Sequence, residues 1–162
     1  MKSLVVVFSY HHKNTEKIAK SIAHVIDASV KTPQQVNPEE LREYDLVGFG
    51  SGIYAAQHHK SLLDLADKLP QAQVTGKNAF IFSTYGAPAF VASREFVENN
   101  HAQLREKLKA KGYTVLGEFG CAGWNTNSFL KYFGGLNKGR PNAEDVRHAE
   151  AFARDMQEKA RG

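Results

Sequence analysis

The sequence predicts an α/β fold: a doubly wound three-layer sandwich on a five-stranded parallel sheet. Two observations predict it. Short continuous apolar runs, typical of strands buried on both faces, alternate with stretches whose apolar residues recur at helical spacing. That alternation repeats along the whole chain, which implies right-handed crossovers and helices on both faces of one sheet. The 162 residues, 42% hydrophobic and 23% charged, suit one domain, residues 1–162, with a single sizeable core.

Leu4, Val5, Val6, Val7 and Phe8 mark a first strand over residues 3–8. A helix follows over 15–27, where Ile18, Ile22, Val25 and Ile26 share a face, and residues 28–32 suit a short second strand. Asn37, Pro38, Glu39 and Glu40 read as a helix start: a capping Asn, Pro at the first position, acids in the first turn. Residues 44–50 form the third strand. The next helix, over 59–69, carries Leu62, Leu63, Leu65 and Ala66 and stops before Pro70. Residues 77–84 form the fourth strand. A long helix over 93–111 then buries Phe96, Val97, Leu104 and Leu108, and Gly112 supplies its left-handed end. After a last strand at 113–121 comes a Gly- and Asn-rich connection over 122–141. Asn142 caps a final helix with Glu144 and Asp145 in its first turn.

Composition removes several classes of function. No apolar run approaches the roughly 20 residues of a membrane span, and the five-residue run at the amino terminus reads as a strand, not a signal peptide. Cys121 is the only cysteine, so no internal disulfide forms, which agrees with a cytoplasmic location. The net charge of +4 is spread among acids, with no basic stripe and no aromatic RNA motif. A solvated basic surface is therefore expected, with neither nucleic acid nor membrane as partner.

In a doubly wound sheet, ligands bind beyond the carboxyl ends of the strands, where the strand order reverses. Loops 9–15, 51–59 and 83–92, and the connection after Cys121, are the places to inspect. The first joins strand to helix and carries Ser9, His11, His12, Lys13, Asn14 and Thr15. A helix amino terminus has unsatisfied N–H groups and a partial positive charge, so these donors suit a phosphate monoester. Two adjacent histidines in a turn are expected to point different ways, and no Asp, Glu or Cys joins them, so no metal is expected. The loop has neither the P-loop spacing nor the dinucleotide-binding glycine pattern. Taken alone it reads equally well as a helix cap with solvated histidines.

In the second loop, Gly50 and Gly52 permit close backbone approach and positive φ. Ser51 and Gly52 offer peptide groups, and Ile53 and Tyr54 offer an apolar and an aromatic face. The third carries Ser83, Thr84, Tyr85 and Gly86, with Tyr85 as a second planar face. Glycine turns with packed tyrosines account for each loop separately. Three such loops at one sheet edge are harder to dismiss.

On these residues the sequence resembles the flavodoxin-like family, of the short-chain type. Asn14-Thr15-Glu16 after the first strand, Gly50-Ser51-Gly52-Ile53-Tyr54 after the third and Ser83-Thr84-Tyr85-Gly86 after the fourth match its flavin mononucleotide (FMN) site. The likeness extends to the closing run from Gly134 to Pro141. It implies that Ser9, Asn14 and Thr15, with the backbone between them and His11, His12 and Lys13, hold the FMN phosphate. It also implies that Ser51, Gly52, Ile53 and Tyr54 flank the isoalloxazine and that Ser83 to Gly86 supply a third side. The chain departs from the family in having His12-Lys13 where Thr-Gly is usual, and in being basic where flavodoxins are acidic.

The expectation is an FMN-binding electron-transfer protein that serves redox partner proteins as a monomer or weak dimer, with no catalytic residue and no metal. An FMN-dependent NAD(P)H:quinone-type oxidoreductase on the same fold is the alternative. A phosphorylated receiver domain requires an Asp at the end of the third strand, where Gly50-Ser51 stands. A flavin-free interaction module stays open. Cys121 reads as a buried, inert thiol. Trp124 and Tyr132, in the long connection, read as a flavin cover, a partner contact or a satellite core.

Overall fold

The structure is a computed structural model that describes residues 1–71 and 77–162. Its elements are β1 (Ser3–Phe8), α1 (Asn14–Val25), β2 (Ser29–Lys31), β3 (Leu46–Tyr54), β4 (Gln57–His58), α2 (Lys60–Lys68), β5 (Asn78–Tyr85), α3 (Arg94–Ala110), β6 (Thr114–Ala122) and α4 (Ala143–Arg161). Five strands pair in parallel in the order β2-β1-β3-β5-β6, and β4 adds a sixth, antiparallel to β3. The order reverses between β1 and β3, whose residues Phe8 and Ser51 lie side by side in register. Ligand crevices open at such a reversal.

Each strand alternates its side chains between two helical layers. Leu4, Val6, Val47, Phe49 and Ile81 pack under α2 and α3 with Leu62, Leu104 and Leu108. Val5, Val7, Leu46, Phe80 and Phe82 pack under α1 and α4 with Ile18, Ile22, Ala149 and Met156. The single core expected from composition is therefore two, one per sheet face, as a covered parallel sheet requires.

Three local expectations change. The segment opened by Asn37 is a 3₁₀ helix, Pro38–Glu43, although Asn37 does cap it by accepting from the Glu39 N–H at 3.2 Å. Leu41 is its one buried residue, so no apolar stripe exists to support a longer α-helix. Gly50 and Gly52 are extended strand residues, and neither has positive φ. At Gly48 and Gly50 a Cβ would sit 2.2 Å from the rings of Phe80 and Phe82. These two glycines make room for large core rings, not for a turn. Finally, β3 runs on to Tyr54, turns at Ala55 and Ala56 with φ of 49° and 61°, and returns as β4. Two successive positive φ values are what a tight hairpin turn of the primed types demands.

Gly112 has φ of 87°, and Ser93 caps α3 by accepting from the Phe96 N–H. Asn142 and Asp145 form a reciprocal capping box at the start of α4. Asp145, 5% exposed, also takes a two-pronged ion pair from Arg140, which anchors the end of the long connection. Among the described residues, no helix is long and apolar enough to cross a membrane.

Candidate functional site

A cleft of about 120 Å³ opens at the carboxyl ends of β1, β3, β5 and β6. The first loop gives it Tyr10, His11, Asn14 and Thr15. Gly52, Ile53 and Tyr54 come from β3; Thr84, Tyr85 and Gly86 from β5 and its end. Gly123, Trp124, Asn125 and Asn127 come from the connection after β6. Nine of the residues named from the sequence thus meet in one place: His11, Asn14, Thr15, Gly52, Ile53, Tyr54, Thr84, Tyr85 and Gly86. Ser9, His12, Lys13, Ser51 and Ser83 do not line it.

The turn into α1 is left-handed at three consecutive residues, with φ of 47° at His11, 63° at His12 and 57° at Lys13. Each such residue costs about 1–2 kcal/mol without glycine's freedom, and strain of this kind concentrates at functional sites. Lys13 is the N-cap but offers no side-chain cap. In the first turn Ser9 Oγ accepts from the Glu16 N–H at 3.1 Å. The very start of α1 is left without a side-chain cap, which is the arrangement an anion can complete. Thr15 Oγ1 is hydrogen-bonded to Thr84 Oγ1 at 2.8 Å, which ties the first loop to β5. Lys13 Nζ lies 3.3 Å from Glu16, so its charge is partly spent within the helix.

The histidines converge where the sequence predicts divergence. His11 Nε2 and His12 Nε2 both reach Thr126 Oγ1, at 3.0 and 2.7 Å. Consecutive left-handed residues curl the chain tightly enough to bring the two rings within 4.2 Å. His12 also stacks on Trp124 with ring centroids 4.0 Å apart, and burial, then His11, lowers its pKa. Among the described residues no three His, Cys, Asp or Glu side chains gather as a metal site.

The connection after β6 forms the fourth wall. Asn14 Nδ2 donates to the Trp124 carbonyl at 2.9 Å, and Asn125 Nδ2 to the Gly86 carbonyl at 3.3 Å. At Gly123 and Gly86 a Cβ would lie 2.6 Å from the Asn14 and Asn125 amide nitrogens, so both glycines admit an asparagine into the wall. Trp124 is a residue the sequence marks. Tyr10, Gly123, Asn125 and Asn127 lie in the loops the sequence points to but are not singled out there, because the wall joins segments far apart along the chain. Tyr132 stays out of the cleft and is 76% exposed.

Beneath the floor lies a buried polar cluster. Ser51 and Ser83 are register neighbours on β3 and β5 and face the α2–α3 layer. Ser51 Oγ donates to the Gly52 carbonyl at 2.6 Å and accepts the His59 N–H at 3.0 Å. His58 Nδ1 lies 2.9 Å from the same oxygen. With the hydroxyl proton on the Gly52 carbonyl, His58 must donate through Nδ1, leaving Nε2 as a buried acceptor without a partner among the described residues. Burial, then the neighbouring His101, pushes the His58 pKa well down. Ser83 Oγ meets His101 Nε2 at 2.7 Å, and His101 Nδ1 meets Glu118 at 3.1 Å. Arg105 reaches the other Glu118 oxygen at 2.7 Å. Burial raises the Glu118 pKa, but the His101 and Arg105 hydrogen bonds outweigh it and the net shift is downward.

Cys121 is 5% exposed within the α1–α4 core, and burial, then Asp145, drives its pKa far upward. It is an inert packing thiol. Burial likewise raises the pKa of Tyr54 and Tyr85, so both cleft phenols are neutral.

Comparison with known proteins identifies the family and the fold. A family model described as a flavodoxin domain matches residues 5–124. A protein of Methanocaldococcus jannaschii, described as uncharacterized, is 48% identical over 156 residues, 96% of this chain and 98% of its own. Among solved structures, a flavodoxin from the domain Archaea superposes with a TM-score of 0.65 at 19% identity, covering 100% of both chains. Flavodoxin 2 from Bacillus cereus gives 0.68 at 19%, covering 98% of this chain and 99% of that one. A short-chain flavodoxin associated with a bacterial microcompartment gives 0.69 at 18%, covering 99% of both. At these identities the structures share the fold.

Proposed function

The chain belongs to the flavodoxin domain family, and from that premise we propose that it binds FMN in the strand-end cleft and carries electrons between redox partner proteins in the cytoplasm. The observation that supports this best is the convergence of a left-handed loop, a helix start whose N-cap residue Lys13 offers no side-chain cap, and two neutral tyrosines at one cleft. The donor chemistry fits the cofactor. The start of α1, Asn14 and Thr15 suit the phosphate, with His11 beside them. Tyr54 and Tyr85 suit the two faces of a flat ring, and the peptide groups around Gly52 and Gly86 suit its polar edge. The cleft is smaller than the roughly 300 Å³ of an ordinary small-molecule pocket. Tyr10, 70% exposed, and Tyr54, 37% exposed, are its exposed aromatic walls.

When bound, the flavin supplies one- and two-electron chemistry that no side chain here offers. The chain's own residues hold and orient. Thr15 and Thr84 fix the spacing between first loop and β5, Asn14 fixes the Trp124 wall, and Ser51 fixes the Gly52 carbonyl. No residue needs to move a proton for electron carriage. Reductive titration of the FMN-loaded protein tests the reading: two separated one-electron midpoint potentials support a carrier, and a single two-electron step contradicts it.

One observation favours the oxidoreductase as a second reading. A groove of about 510 Å³, lined by Phe8, Tyr10, Tyr54 and His59 among others, shares Tyr10 and Tyr54 with the cleft. His59 stacks on Phe8 at 3.7 Å, forming an aromatic platform for a flat acceptor such as a quinone. Steady turnover of NADH or NADPH with a quinone would select this reading.

A further inference from the structure

The face around the cleft has an unusual charge pattern. Residues 9–15, 51–63, 84–94 and 122–143, which hold all four strand-end segments, contain no Asp or Glu, although the chain has 17 such residues. The same segments carry Lys13, Lys60, Arg94, Lys131, Lys138 and Arg140. Four of these cations reach an acid just beyond the segments: Lys13 to Glu16, Lys60 to Asp64, Arg94 to Glu98 and Arg140 to Asp145. Among the described residues, Lys131 and Lys138 meet no carboxylate. Large apolar side chains stand out on the same face. Phe90 is 89% exposed, Phe129 66%, Tyr132 76% and Phe133 81%.

The segments that bear these groups are tied to the wall of the cleft, although the groups themselves do not line it. Asn125, which lines it, is bridged to Leu136, and the Trp124 indole donates to the Gly134 carbonyl. Asn137 donates to the Ala87 carbonyl at 2.8 Å and accepts the Ala89 N–H, so the segments bearing Phe90 and Phe133 are tied together. Protein interfaces concentrate exposed aromatics, and charge complementarity across them steers encounter.

We propose that the collar formed by residues 89–91 and 129–138 is the docking surface for an acidic electron-transfer protein, which presents carboxylates to Lys131 and Lys138 and an apolar centre to Phe90, Phe129 and Phe133. The proposal rests on the electron-carrier reading above. In each transfer the partner's reduced centre loses one electron and the ring system in this chain's cleft gains it. A lipid surface fits less well: two lysines that meet no carboxylate among the described residues contribute only about 2 kcal/mol toward an anionic bilayer, and Lys131 already lies 5.2 Å over the Tyr132 ring.

A reduced acidic ferredoxin serves as the probe, with basic cytochrome c as the reverse control. Stopped-flow transfer to the FMN-loaded protein is followed from about 0.01 M to about 1 M salt, which shortens the Debye length from roughly 30 Å to 3 Å. Steering of this kind is expected to lower the rate constant at least tenfold over that range. The Lys131→Glu, Lys138→Glu double variant is expected to lose about tenfold at low salt with FMN affinity unchanged. Phe133→Ser is expected to weaken docking at every salt concentration. Independently of any flavin, amide shifts of the cofactor-free chain mixed with ferredoxin are expected to fall on residues 129–138. If they do while FMN fails to bind, the docking surface stands and the cofactor reading falls. A rate that rises with salt overturns the proposal. So does the absence of ferredoxin binding, with or without capture of phosphatidylserine vesicles or an oligonucleotide.

Discussion

His58 should make the protein acid-sensitive, and replacing it should remove that sensitivity. Its side chain is 1% exposed, its Nε2 has no partner among the described residues, and burial with His101 beside it holds its pKa well below the ordinary 6.5. Above about pH 6.5 His58 is neutral in both folded and unfolded chains, so stability does not depend on it. Below that value the unfolded chain takes up a proton that the folded chain refuses. Stability then falls by up to about 1.4 kcal/mol per pH unit until the folded pKa is reached. His58→Phe keeps a ring against His101 and leaves Ser51 its bonds to the Gly52 carbonyl and the His59 N–H. Near pH 8 the variant loses one hydrogen bond, about 1 kcal/mol, but also loses a buried orphan atom that costs a similar amount, so it should match the wild type closely. Guanidinium unfolding between about pH 5 and pH 8 reads the difference in slope. The window stays above the range where Glu118, with its lowered pKa, would add its own acid loss. His12 and His59 shift in the same direction but are present in both proteins, so they cancel in the comparison. Parallel curves for the two proteins across this range would mean that the fold does not exclude the His58 proton.

Three further outcomes follow from the geometry. Gly50→Ala places a methyl 2.2 Å from the Phe82 ring and should cost about 1–3 kcal/mol of overpacking, read as a lower denaturation midpoint with unchanged m-value. Asn14→Ala removes a donor at the helix start and its bond to Trp124; losing one charge-assisted bond should weaken FMN binding roughly tenfold or more, measured by fluorescence quenching. Cys121 should ignore a thiol reagent such as DTNB in the native protein and react once guanidinium unfolds it, because burial both hides it and disfavours its thiolate.

The strands and helices were legible because their signals are local. No helix carries a continuous apolar run like the one from Leu4 to Phe8, and Ser93, Gly112 and Asn142 each occupy the end position that their chemistry favours. The β4 hairpin was hidden because Ala55 and Ala56 carry none of the Asn or Gly signals that such a turn normally shows. Missing it placed the end of β3 too early. Once β3 reaches Tyr54, alternation puts Ser51 on the side of Phe49, inside the α2–α3 layer, and leaves Gly52 at the cleft. Ser83 follows Ile81 inward for the same reason. From its donors alone the first loop read equally well as a phosphate site and as a helix cap with solvated histidines. That His12 would stack on Trp124 depended on how the long connection folds back, and no local pattern encodes that.

Cofactor binding in the strand-end cleft is tested most directly by titrating the purified, flavin-stripped chain with FMN, followed by the flavin's visible absorption and fluorescence. Saturable quenching at one FMN per chain is expected, with weaker binding by riboflavin, which lacks the phosphate proposed to sit at the start of α1. Riboflavin binding as tightly as FMN would contradict the phosphate site, and no binding of either would contradict the cofactor cleft itself.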